Sequence, residues 1–352
     1  NTLSYSKKIN DKNGIELLGG FEAQSFRKDL ESLTAVKFPS DQFSEIDVAA
    51  EPFGVRSYIN RSTYASLFSN IQYNYNERYY LSGSFRRDGC SKFGDNNKWA
   101  NFYSIGASWR VNDEAFLRDI SQINSMKLRA SYGTSGNSEI DYFLSRGTYS
   151  FSGYHGSSAM FPVRLPNPDL TWEKNKALNI GLDNRIFNRF NISIEYFNRI
   201  TSDLLLNVPK SYVTGFAYMT QNVGSMSNKG WEFNVSSENI KGDVTWITSV
   251  NLSIVKNKIL KLNEEFIDEM AGKGIQIRRE GEDFNSYYLR RWAGVNPADG
   301  SAMWYDKNGN IVYDYTKADK QIVGSSAPKL YGGITNTVTW KGIEFSCLFY
   351  VN

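Results

Sequence analysis

The side chains able to do chemistry are few in this chain. His155 is the only histidine, so a zinc protease of the HExxH kind or any His-rich metal centre is excluded. Cys90 and Cys347 are the only cysteines. One lies beside a predicted loop and the other on the apolar side of a predicted strand, so they are not expected to pair, and a disulfide framework is excluded. A metal here would have to be a hard cation on oxygens. Asp299, Asp306, Asp314 and Asp319 offer carboxylates, but without EF-hand spacing, and they read as turn residues in a polar loop. Ser326-Ala327-Pro328-Lys329 has the spacing of an SxxK nucleophile, yet Pro328 breaks the helix that would orient the lysine, and no SDN or KTG partner follows. Glu264, Glu265, Asp268 and Glu269 are close enough for a carboxylate pair, but an exposed loop gives no burial to separate their acidities. The GTSGN run after Tyr132 lacks the lysine of a phosphate loop. The sequence therefore points to no enzyme and no cofactor.

Aromatic residues are a stronger signal. Trp99, Tyr149, Phe151, Tyr154, Trp172, Tyr287, Tyr288, Trp292, Trp304 and Tyr305 fall in predicted loops, interleaved with Asn, Ser, Arg and Asp. Flat rings beside hydrogen-bonding groups suit a polar, ring-faced ligand such as a sugar. Trp99, Tyr149, Tyr154, Trp172, Tyr287, Tyr288, Trp292 and Trp304 are accordingly the candidate substrate-binding residues. The competing reading is that these rings pack the loops on themselves or on a partner.

The elements that must carry these loops are written in period two. Ala65, Leu67, Ile71, Tyr73 and Tyr75 alternate with polar neighbours, a tight turn follows at 76–78, and Tyr79, Leu81, Gly83 and Phe85 resume the pattern. Successive strand side chains point to opposite faces, so such a segment has one face for an apolar medium and one for a polar one. The pattern predicts about twelve strands, near residues 2–9, 15–24, 62–75, 78–87, 100–111, 126–135, 174–187, 189–200, 228–238, 243–256, 329–340 and 342–352. The connections alternate between short and long. The long ones are predicted near 25–61, 88–99, 136–173, 201–227 and 257–328. Long structureless loops argue against a compact soluble domain; short turns at one end and long loops at the other are the rule of transmembrane β-barrels. A soluble β-sandwich or propeller is the alternative.

Composition agrees. The 352 residues are 41% hydrophobic and 22% charged, with 15% aromatic and a net charge of +3, and the mean hydropathy is -0.46. No apolar run is long enough for a membrane helix, which leaves a barrel open because only half of each strand meets lipid. The charges are scattered, so no nucleic-acid footprint is visible. Tyr73, Tyr75, Tyr79, Tyr80, Trp109, Phe187, Phe190 and Trp340 gather near the short turns, where a headgroup-level girdle is expected. Residues 113–125, with Asp113 in N-cap position and Phe116, Leu117 and Ile120 at helical spacing, predict a short interfacial helix. Asp306-Lys307-Asn308-Gly309 predicts a turn between Met303/Tyr305 and Ile311/Tyr313, an extra hairpin on the longest loop.

Six stretches, in order, resemble the recurring marks of SusC-like (SusC/RagA) TonB-dependent outer-membrane transporters: WRVNDEAFL (109–117), LRASYGTSGN (128–137), NPDLTWEKN (167–175), NVGSMSNKGWEF (222–233), GVNPADG (294–300) and APKLYGG (327–333). The resemblance implies an all-β, antiparallel up-and-down barrel of ~22 strands with a plugged lumen. It also implies localisation in the outer membrane of a Gram-negative bacterium and import of oligosaccharides or peptides. The implied partners are TonB, acting through a plug region, and a SusD-like surface lipoprotein. Residues 1–352 are expected to form a single barrel segment, with the plug domain and closing strands outside it. The rival functions are a diffusive porin without energy coupling and a barrel-borne adhesin or enzyme.

Overall fold

The computed structural model describes residues 1–262, 266–268 and 275–352. Strands β1 (Thr2–Asn10), β2 (Asn13–Val36), β3 (Glu51–Tyr75), β4 (Tyr79–Cys90), β5 (Trp99–Arg110) and β6 (Ile123–Asn137) follow one another as antiparallel neighbours. A loop hairpin of β7 (Thr148–Tyr154) and β8 (Ser157–Arg164) precedes β9 (Glu173–Ile186) and β10 (Phe190–Ser202). The next loop pairs β11 (Leu205–Pro209) with β12 (Tyr218–Asn222), before β13 (Ser225–Ile240) and β14 (Val244–Lys261). The longest connection carries β15 (Phe266–Asp268), β16 (Gln276–Arg278), β17 (Ser286–Arg290), β18 (Trp292–Val295), β19 (Ala302–Tyr305), β20 (Ile311–Val312) and β21 (Lys320–Ser325). The wall then resumes with β22 (Leu330–Trp340) and β23 (Ile343–Val351).

The twelve segments predicted from period two are the twelve strands of one sheet, in the order β1-β2-β3-β4-β5-β6-β9-β10-β13-β14-β22-β23. Every described pairing in it is antiparallel, and every wall strand lies beside its predecessor, so each second connection returns to the same end. The sheet is a partial, transmembrane-type barrel wall. Its short turns are hairpins of the kind that matches strand twist. Asn76 and Glu77 between β3 and β4, and Phe187 and Asn188 between β9 and β10, all have φ of 52–54°. Positive φ at both central residues is what a type I′ turn demands. The turns close through the Arg78 N–H to Tyr75 O at 3.0 Å and the Arg189 N–H to Ile186 O at 3.1 Å.

Register sorts the side chains into two faces. Leu17, Ile71, Gly83, Ile105, Tyr132 and Leu178 form one continuous row across neighbouring strands, and Ile194, Phe233 and Leu252 continue the same face. The opposite face holds Gln72, Ser82, Ser104, Arg129, Asp183, Glu195, Glu232 and Asn251. One face thus suits lipid and the other a watery lumen. Cys347, opposite Asn336, shares the apolar face with Phe345 as expected.

Three expectations are corrected. First, most of the predicted loop 25–61 is strand, because β2 and β3 run on as a ribbon to the Val36–Glu51 pair. Both faces of that ribbon meet water, so its sequence (Lys28, Asp29, Glu31, Ser32) lost the alternation that marks a wall strand. Second, no α-helix forms over 113–125. A 3-10 turn occupies Val111–Asp113 and irregular turns follow. Asp113 caps no N–H, since its carboxylate takes the Asn112 amide at 2.6 Å and Arg110 Nε at 3.1 Å. A segment this short has little intrinsic helicity to oppose that. Third, Tyr80 is not in the girdle. It alternates to the lumen face and its hydroxyl donates to Glu77 O at 3.0 Å.

Candidate functional site

The lumen face is built around two guanidinium hubs. Arg129 on β6 reaches Asp183 of β9 at 3.0 Å and Glu195 of β10 at 2.5 Å, while the Ser193 hydroxyl donates to Asp183 at 2.8 Å. Arg86 on β4 meets Asp88 at 2.6 Å, Ser66 Oγ at 2.9 Å and Glu22 at 3.3 Å. Each hub ties strands together at positions that period two assigns to the lumen, and each leaves carboxylate and guanidinium edges open to water. Asn175 and Asn179 stand in the same inward column of β9, both with side-chain oxygens that lack a protein partner. This surface can form hydrogen bonds to a polar ligand.

Above the wall the loops make their own core. Phe93 is enclosed with Cys90, Ala100, Phe102 and Trp172, and Leu170 is buried as well. Trp172 packs on Phe93 at a ring-centroid distance of 4.7 Å and its Nε1 donates to Lys98 O at 3.0 Å. A β-carbon on Gly136 would overlap the Phe102 ring, which explains a glycine there. Trp172 is only 4% exposed, so in this conformation its ring faces protein rather than any ligand. Trp99 is half exposed but shares its face with Tyr103 and Ile105, on the outside of the wall, with the Arg87 guanidinium 5.5 Å over its ring.

The other candidates divide into three places. Tyr149 and Tyr154 are exposed on the β7–β8 hairpin, with Tyr154 edge-on to His155 at 4.9 Å. Tyr287 and Tyr288 are half-buried on β17, which pairs with β21, and as strand neighbours they project to opposite sides. Trp292 and Trp304 meet edge to face at 5.4 Å on the paired strands β18 and β19. Among the described residues no ring contact joins Tyr149 or Tyr154 to the Trp292–Trp304 pair.

Around Trp292 and Trp304 the sequence reading missed half of the group. Tyr315 lies edge-on to Trp304 at 5.4 Å, Arg290 sits 4.3 Å over Tyr315, and Arg291 sits 4.9 Å over Tyr305. Arg290 is fixed by a 2.8 Å bond to Ala318 O. Trp292 and Tyr315 remain about half exposed, at 53% each. The predicted hairpin below them is present, with Trp304 opposite Val312 and Tyr305 opposite Ile311. Asp306 accepts the N–H groups of Asn308 and Asn310 in its turn. The Asn310 side-chain amide, then its backbone N–H, hold the Asp306 carboxyl below the usual carboxylate range. Asp299, Asp314 and Asp319 likewise accept turn N–H groups, from Ser301, Thr316 and Lys307. Glu264, Glu265 and Glu269 lie outside the described residues, as does the Asp268 side chain.

A family model described as "TonB dependent receptor-like, beta-barrel" matches residues 4–343. The TonB-dependent receptor P39 of Formosa agariphila is 31% identical over 100% of this chain and 39% of its own length. The TonB-dependent receptor SusC of Bacteroides thetaiotaomicron is 31% identical over 82% of this chain and 31% of its own. Among solved structures, the RagAB peptide transporter aligns with a TM-score of 0.89 at 27% identity, covering 99% of this chain and 40% of that one. The chain thus spans about two fifths, or less, of the length of these relatives.

Proposed function

The chain belongs to the TonB-dependent receptor β-barrel family, whose members reside in the Gram-negative outer membrane, and we propose that it supplies part of the wall and rim of an energy-coupled importer of oligosaccharides. In this reading residues 1–352 are one barrel segment, and β1 and β23, each paired on one side only, hydrogen-bond to wall strands contributed by the rest of the protein. Unpaired backbone groups in hydrocarbon cost several kcal/mol each, which favours that pairing. The plug region that takes the TonB signal, and a SusD-like lipoprotein seated over the loops, complete the machine. The chain serves transport and not catalysis.

The observation that carries the substrate class is the Trp292–Trp304–Tyr315 platform with Arg290 at its edge. Exposed rings beside charged donors are what a sugar face needs, and they sit on the loop side of the wall. Tyr149, Tyr154, Tyr287 and Tyr288 extend this surface as secondary contacts; Trp99 faces outward and Trp172 inward to protein, so neither takes part without rearrangement. A peptide substrate is the second reading, and the likeness to the RagAB peptide transporter favours it.

The test is uptake by cells carrying the whole protein. Trp292→Ala and Trp304→Ala should each weaken half-saturation for a labelled oligosaccharide by roughly 2- to 12-fold, the worth of one aromatic contact, and uptake should stop when the proton gradient is collapsed. Deleting residues 302–313 should reduce copurification of the lipoprotein partner or uptake while the wall still assembles. Peptide uptake sensitive to the same substitutions, with oligosaccharide uptake unaffected, would select the second reading. Uptake insensitive to the gradient would select a diffusive porin.

A further inference from the structure

The outward face of the wall differs between its two ends in charge. On β9, β10, β13 and β14 the turn end carries Ile186, Phe190, Trp246 and Val244, with no charged side chain facing out. Moving toward the loops, the apolar series gives way to lysine on three of the four strands. Lys176 and Lys174 follow Leu178, Lys229 follows Trp231, and Lys256 and Lys258 follow Ile254, all on the same face and all exposed. The acidic residues of these strands, Glu173, Asp183, Glu195, Glu232 and Glu238, alternate to the lumen.

Register compresses the lysines into a patch. Lys229 stands directly opposite Lys256, and the adjacent row runs Lys176, Ile200, Ser227, Lys258. Like charges directly opposed across a ladder repel. Lys174 has a carboxylate, Asp203, at 3.4 Å. Among the described residues, Lys176, Lys229, Lys256 and Lys258 have none within ion-pair distance. They follow the outward row Ile180, Tyr196, Trp231 and Ile254, in which Trp231 packs on Tyr196 at 5.1 Å, and a lysine at the edge of an apolar face places its ammonium at headgroup level.

We propose that this patch binds the phosphate groups of anionic lipids in the membrane leaflet on the loop side. The occupant is a lipid and not a soluble anion, because Lys176, Lys229 and Lys256 each stand two residues along the strand from a side chain in the lipid-facing series, Leu178, Trp231 and Ile254. Two or more ammonium groups around one phosphate relieve the Lys229–Lys256 repulsion and anchor the lipid at the wall. The inference rests on the wall spanning a membrane in this orientation and is independent of what is transported.

The test uses the whole protein purified in mild detergent, with a diphosphorylated glucosamine lipid (lipid A), the same lipid without its phosphates, and inorganic phosphate as probes in native mass spectrometry. The phosphorylated lipid should be retained in preference to the dephosphorylated one. Each lysine near a charged headgroup is worth about a fivefold change in affinity, so Lys176→Gln with Lys229→Gln and Lys256→Gln should weaken retention roughly a hundredfold. The triple Lys→Arg variant should keep it, and Lys241→Gln with Lys341→Gln, in the turns, should leave it unchanged. Equal retention of the two lipids, an unaffected triple Gln variant, or equal binding of free phosphate would overturn the proposal. Because lipid retention is read on its own, a failure of oligosaccharide uptake leaves this result standing, and the reverse holds as well.

Discussion

The wall and the loops of this molecule are stabilised by different logic, and the difference shows in how each answers to its sequence. In the wall a side chain's surroundings follow from parity: Leu81 looks out because Tyr73 and Ala107, its register partners, look out, and Ser82 looks in. In the loops a side chain's surroundings follow from a meeting of distant segments, as when Phe93 packs against Trp172 from a connection more than seventy residues later. The wall therefore tolerates changes that keep parity, whereas the loop core tolerates few changes at all.

The largest effect should come from the loop core. Trp172→Ala should cost about 3–5 kcal/mol of loop stability, the usual range for an enclosed Trp, and expose residues 91–98 and 138–172 to protease while the wall remains intact. If limited proteolysis found the wall cut as readily as the loops, the separation of the two regions would fail. Next, Val250→Arg should cost on the order of 2–4 kcal/mol near the bilayer midplane, Leu81→Arg, opposite Tyr73 and nearer the interface, less than that, and Ser249→Arg or Ser82→Arg least in each pair. Equal losses of folded yield in the outer membrane within each pair would break the assignment of faces.

A smaller effect sharpens the comparison at the turn end, where wall and connection meet. The Tyr79 hydroxyl donates to Glu114 Oε1 at 2.6 Å and Trp109 Nε1 donates to the same oxygen at 3.1 Å. The Tyr79 bond, then that of Trp109, hold the Glu114 carboxyl below its ordinary range. A carboxyl held low contributes stability that is present above the ordinary carboxylate range and lost as pH falls through its lowered value. The Trp109 fluorescence of the intact protein, taken as the difference from Trp109→Phe, should therefore be constant at neutral pH and change on acidification. Glu114→Gln should abolish that change; persistence of the change would assign it to another group.

How much of this was legible beforehand follows the same division. Period two located all twelve wall strands, and Leu81, Ile194, Val250 and Phe345 share the face that their alternation assigned to lipid. The hairpin around Asp306 was also legible, because an Asp-x-Asn-Gly turn is a local signal. Tyr315 and Arg290 were not, because nothing in a sequence says that a tyrosine in a 3-10 turn will meet a tryptophan eleven residues earlier edge to face. The enclosure of Trp172 escaped for the same reason. Its neighbours in sequence are polar, and only the strand–loop packing encloses it.

The β2–β3 ribbon has a consequence for approach. Beyond the pair Arg27–Arg61 it runs as two strands bonded only to each other up to the Val36–Glu51 pair, a rise of about 30 Å at the usual spacing. A spar of that height on one sector of the mouth makes arrival anisotropic: a body descending over this sector strikes the ribbon before it reaches the wall. For a body seated over this sector, the ribbon is a stop against rotation.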